Sequence, residues 1–209
     1  MFQSAKYKLI EFFIIFIVTP VSFTLNFSFK IKGIIAITGF AYIIYVLLKV
    51  QKNKLKVAKG LNWSRFFRDT LVKLVAIAFI TIAFVYFSDR ENLFKVVLNK
   101  PLMWLFFLFV YSAFSVYPQE LIYRTFYFQR YENLFQNKNL FIFVNAIVFS
   151  LAHLFFKNTL VIVLTFLGGL LFAFTYKKTK STLLVSIEHA IYGCWLFTVG
   201  MGEMLGFPS

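Results

Sequence analysis

The chain has 209 residues, 60% hydrophobic and 22% aromatic, with 31 phenylalanines and a formal net charge of +14. So apolar and charge-poor a composition excludes an ordinary soluble domain and is that of an integral membrane protein. The basic residues stand between apolar runs rather than on a face of their own. That argues against a nucleic-acid partner and fits the Lys and Arg of cytoplasmic loops beside anionic lipid.

In chain order, Lys6 and Lys8 precede an apolar run over 9–25. The start resembles a signal peptide. No small-x-small cleavage site follows and further spans do, so it reads as an uncleaved first transmembrane helix with Glu11 near the headgroups. A link holding Lys30 and Lys32 leads to a second span over 33–48. The most basic stretch, 49–68, mixes Lys49, Lys52, Lys54, Lys56, Lys59, Arg65 and Arg68 with Trp63, Phe66 and Phe67. It reads equally as a segment lying on anionic lipid or as a solvated cytoplasmic loop. A third span covers 71–87, and Asp89, Arg90 and Glu91 mark a polar turn.

Pro101 opens a fourth helix, since proline suits a first turn. It extends to about residue 131, roughly 45 Å at 1.5 Å per residue, longer than a bilayer core. A kink at Pro118 is the expected accommodation. After a loop at 137–139 come a fifth span over 140–156 and a sixth over 159–176. Gly168 and Gly169 in the sixth suit close helix packing. Lys177, Lys178 and Lys180 form a basic loop before a seventh span over 182–199. The expectation is all-α: a polytopic transmembrane helix bundle of about seven spans (six to eight), one membrane domain over 1–209. With the N-terminus and the stretches 49–73, 130–138 and 177–180 on one side, fifteen of the 22 Lys and Arg fall there, which places that terminus in the cytoplasm. The lone Cys194 allows no intramolecular disulfide and reads as a small apolar filler.

Few polar residues fall inside the spans. Pro118-Gln119-Glu120-Leu121-Ile122-Tyr123-Arg124 follows a charge-free run over 102–117. Glu120 and Arg124 there are costly unless paired or hydrated, and their i,i+4 spacing lets them pair. The only two histidines, His153 and His189, also fall within predicted spans. Asn145, Phe149 and His153 are four apart and line one face of the fifth helix; Glu188 adjoins His189. Counted from the cytoplasmic helix ends, Glu120, His153 and His189 lie about 17, 22 and 13 Å deep at 1.5 Å per residue. Similar depths on three helices favour one shared site.

A carboxylate and two imidazoles can hold and deprotonate a water, then protonate a leaving amine. The same Glu120, His153 and His189 can bind zinc with an open fourth position. No helix carries two histidines four apart, which weighs mildly against the metal. A proton-coupled carrier also uses an intramembrane Glu with histidines, but the chain has no internal repeat of the kind many carriers show.

Gln119-Glu120-x-x-x-Arg124, Phe149-x-x-x-His153 and His189 resemble the CAAX-protease and bacteriocin-processing (CPBP, Abi) family of intramembrane proteases, over roughly 101–200. The resemblance implies a membrane endopeptidase in a bacterial plasma membrane, acting on a membrane-associated protein or peptide. It implies a glutamate that activates water and histidines that assist. Two positions depart from the family pattern. Gln119 stands where the first of two glutamates is usual, and Gly193 where the third motif usually ends in Asn. Glutamine is no general base. Glu120 therefore takes that role, or Glu188 supplies the carboxylate, or the chain is a catalytically inactive relative serving as a membrane immunity or scaffold protein. Asn145, on the His153 face, is the candidate stand-in for the missing Asn.

Overall fold

The computed structural model describes residues 2–53 and 60–206, and all the regular structure among them is helical. That outcome follows from composition, because backbone N–H and C=O groups in hydrocarbon must be satisfied within the segment. Helix α1 spans 5–22, α2 Phe29–Val50, α3 Trp63–Ser88, α4 Lys95–Asn99 and α5 Pro101–Leu134. Helix α6 is Lys138–Leu151, α7 Thr159–Thr179 and α8 Thr182–Met201. Six of these are long and apolar enough to cross a membrane: α2, α3, α5, α7, α8 and the run Lys138–Phe156 that contains α6. Helix α1 holds Lys6, Lys8 and Glu11 within its 5–22 range and lies outside the six.

The helix starts are set by small polar residues between the apolar runs. Ser28, Asn62, Asn137, Asn158 and Ser181 each accept a hydrogen bond from a backbone N–H of the first turn that follows. The cap at Asn62 revises the basic stretch 49–68. Arg65, Phe66, Phe67 and Arg68 are the opening of α3 and not a separate surface segment, while α2 runs on to Val50. Residues 54–59 of that stretch lie outside the described residues.

In α5 the expected disturbance at Pro118 takes a particular form. Wide π-type turns at Tyr111–Val116 and Leu121–Phe126 flank the α-helical Tyr117–Glu120. Proline has no N–H to donate and its ring crowds the carbonyl of Phe114 one turn earlier. Wide turns are one way for a continuous helix to absorb that misfit.

The chain forms two compact units, Met1–Val57 with Leu121–Lys180, and Ala58–Glu120 with Ser181–Ser209. The first has an aromatic core in which Phe16 is fully buried and its ring lies 5.4, 5.6 and 5.9 Å from Tyr123, Tyr127 and Tyr131. Glu11, expected near the headgroups, is buried within the protein. It is 6% exposed and bound by Arg130 Nε at 2.7 Å, because an arginine and tyrosines from α5 and α2 surround it.

The same unit shows the close packing expected of the glycine pair. A Cβ on Gly169 would lie 3.0 Å from the Ala146 Cα on α6, whereas one on Gly168 would meet only Phe172 of its own helix. Only Gly169 therefore sets the α6–α7 approach. Gly169→Val forces the two backbones apart and should destabilise by about 1–3 kcal/mol. Thermal unfolding in detergent, followed by helical circular dichroism, checks this; Gly168→Ala should lie much closer to the wild-type midpoint.

The second unit is tied by indole N–H groups. Trp104 donates to Thr198 Oγ1 and Trp195 to Thr81 Oγ1, each at 2.9 Å. Gly200 breaks the end of α8 with φ of 109°, and a Cβ there would run into the Asn92 carbonyl. Glycine alone meets both demands.

Candidate active site

In the second unit α5 and α8 bring Glu120 and His189 together. Glu120 is fully buried, His189 is 6% exposed, and His189 Nδ1 lies 2.8 Å from Glu120 Oε1. The other ring nitrogen, Nε2, lies 3.1 Å from the hydroxyl of Tyr111, which precedes Glu120 by nine residues on α5. With Glu120 as a carboxylate, which only accepts, Nδ1 carries the proton and donates it. In its neutral form the imidazole then accepts at Nε2 from the Tyr111 hydroxyl, which fixes the tautomer of that form.

Gly193 stands one turn beyond His189 on α8. A Cβ there would be built into the Tyr111 ring, 2.6 Å from Cζ. The departure from the family's third motif thus has a physical counterpart: Tyr111 fills the space beside position 193.

Neighbouring groups hold α8 in place. Glu188 is fully buried and does not share the bond to Glu120 that His189 makes. Its Oε1 lies 2.5 Å from Lys73 Nζ on α3 and 3.0 Å from the Tyr192 hydroxyl, which is itself 3.2 Å from the Thr70 carbonyl. Glu188 is thereby an anchor between α8 and α3. Lys73→Met would leave that carboxylate without its cation. Breaking a buried pair costs several kcal/mol, and Lys73 is one-third exposed, so a loss nearer about 2–3 kcal/mol is expected. Adding Glu188→Gln should recover most of it. Cys194, the lone and partly buried thiol of this unit, reports the unfolding midpoint to a thiol-reactive dye. Gln119 donates from Nε2 to Ser115 Oγ at 2.8 Å, and its Oε1 is buried with no hydrogen-bond partner among the described residues.

The remaining sequence-predicted residues belong to the first unit. Arg124 is fully buried. Its Nη1 donates to Asn145 Oδ1 at 2.8 Å and to the Tyr123 carbonyl at 3.1 Å, and its guanidinium lies 4.7 Å over the Phe149 ring. Asn145 Nδ2 donates to the Tyr123 carbonyl at 2.7 Å, so both its polar atoms lock α6 to α5. Arginine suits this place because one planar cation can hydrogen-bond at its edge while a ring covers its face.

His153 differs from its expected place on the face of a helix. Helix α6 ends at Leu151, and His153 sits in the turn before a 3₁₀ segment, Leu154–Phe156. The chain must reverse there to begin α7 at Thr159. The ring folds back so that Nδ1 lies 2.8 Å from the Phe149 carbonyl and the rings of Phe149 and His153 are 5.0 Å apart. Among the described residues no three His, Cys, Asp or Glu are grouped as metal ligands.

These features define a polytopic helical membrane protein with a buried acid–imidazole pair. Residues 101–195, which hold Glu120, Arg124, Phe149, His153 and His189, match the family described as Type II CAAX prenyl endopeptidase Rce1-like. No curated protein and no solved structure matches the chain.

Proposed function

We propose that this chain is an intramembrane endopeptidase of the CAAX prenyl endopeptidase-like family, hydrolysing a peptide bond of a membrane-associated protein or peptide. The observation that carries the reading is the 2.8 Å contact of His189 Nδ1 with Glu120 Oε1, made by buried residues on two apolar helices inside the matched stretch. Glu120 takes a proton from water as the water attacks the scissile carbonyl, and the proton passes on to the leaving amine. His189 holds the carboxylate in orientation through Nδ1–H. His153 is assigned here as the second assisting histidine on the resemblance alone. Glu120 is preferred to Glu188 as base because Glu120 meets the histidine, while the near oxygen of Glu188 is held by Lys73 and Tyr192. The basic residues of 49–68 would meet anionic lipid at a bacterial plasma membrane.

A second reading, the inactive immunity or scaffold relative, draws on Gln119, an amide bonded to Ser115 where the family usually carries an acid. The test is cleavage of a quenched farnesylated CAAX peptide, and of a membrane-protein extract read by new N-termini, by the full chain in lipid nanodiscs. Cleavage by the wild type that is lost in Glu120→Gln supports the protease. No cleavage of either substrate by the wild type, with its biological effect intact in Glu120→Gln, supports the inactive relative.

A further inference from the structure

We propose that Tyr111 is a positioning residue of the Glu120–His189 pair, and that position 193 is glycine to admit it. The inference rests on the protease reading of that pair and adds a residue outside every motif that suggested it.

Four observations in one unit converge. The Tyr111 hydroxyl is 3.1 Å from His189 Nε2. His189 Nδ1 is 2.8 Å from Glu120 Oε1, so hydroxyl, imidazole and carboxylate form a continuous chain. The rings of Tyr111 and His189 meet edge-on, with centroids 6.1 Å apart and planes at 83°, so the tyrosine reaches histidine with its polar tip and not its face. Gly193 supplies the room: any side chain there would overlap the phenol.

The chemistry gives this chain a purpose. A neutral imidazole has one donor and one acceptor nitrogen, and an unengaged ring can flip or exchange tautomers. A hydroxyl donating to Nε2 fixes the proton on Nδ1, where it faces Glu120. Without it, the alternative tautomer points a lone pair at the carboxylate and repels it. Tyr111 thus acts through His189 and need not touch substrate. The wide turn Tyr111–Val116 matters here as well, since it sets the rotation of Tyr111 relative to Glu120 on the same helix.

The test uses the full chain in nanodiscs with ¹⁵N-labelled histidine. The chain has two histidines, so a His153→Gln sample assigns the spectrum. In the wild type, His189 should show a protonated Nδ1 and a hydrogen-bonded, unprotonated Nε2. In Tyr111→Phe the Nε2 resonance should move toward that of a free imine nitrogen, with the second tautomer appearing. The farnesylated-peptide assay should show kcat reduced about 10- to 100-fold, as for a misplaced catalytic group, with KM little changed. Gly193→Ala, which leaves the phenol intact but crowds it, should produce the same spectral change. Unchanged His189 resonances in both variants overturn the proposal, as does full cleavage by Tyr111→Phe. If the wild type cleaves nothing, the protease reading fails, while the spectra still decide whether Tyr111 orders His189.

Discussion

Glu120→Gln should lower cleavage by about 10²–10⁴-fold, the usual worth of a positioned general base, and leave the protein folded. The substitution is nearly isosteric. Its amide oxygen can still accept from His189 Nδ1, now 2.8 Å from the carboxylate oxygen, so the contact between α5 and α8 survives. What is lost is the capacity to take a proton from water. A neutral amide is also easier to hold in an apolar site than a carboxylate, so the unfolding midpoint should stay level or rise. Activity and stability thus separate, which a merely structural Glu120 would not allow. Retained cleavage in Glu120→Gln would remove Glu120 as the base. The parallel change Glu188→Gln should leave most of the activity, because Glu188 faces Lys73 and Tyr192.

Arg130→Met should destabilise the first unit by about 3–5 kcal/mol, the cost of stranding one partner of a buried ion pair. Glu11 accepts from Arg130 Nε at 2.7 Å and Nη2 at 3.3 Å, from the Tyr131 hydroxyl at 2.9 Å and from the Tyr42 hydroxyl. Arg130 also donates to the Phe2 carbonyl at 2.6 Å, which ties the segment before α1 to α5. With methionine at 130, the largely buried Glu11 carboxylate keeps the Tyr131 and Tyr42 hydroxyl donors but loses its guanidinium partner. The double variant Glu11→Gln with Arg130→Met removes both charges and should return most of the stability, since a buried pair contributes less than its halves cost. Helical circular dichroism on heating in detergent measures both. A single variant as stable as the wild type would show that the network adds nothing.

Helix positions were largely legible in the chain. Apolar run length marks the spans, and Asn62, Asn137, Asn158 and Ser181 mark where helices begin, because their side chains bond first-turn N–H groups. The wider extent of α3 was missed since basic and aromatic residues at 65–68 satisfy a surface segment and a helix opening equally. His153 was expected on a helix face because four-residue spacing from Asn145 and Phe149 fits helix periodicity, and the reversal after Leu151 is not visible in that periodicity. The acid and the histidines drew notice through rarity alone: polar residues inside apolar runs are expensive and so few.

By itself, then, the sequence determined an all-helical membrane protein and singled out Glu120, Arg124, His153 and His189. The physical reason is that burial in hydrocarbon penalises every polar side chain and leaves only those with a partner or a task. The partners themselves came only from the tertiary structure. Tyr111 meets His189 across 78 residues, Lys73 meets Glu188 across 115 and Glu11 meets Arg130 across 119. No local pattern encodes such a pair, because a tyrosine or lysine in an apolar helix becomes specific only when helix packing sets what lies beside it.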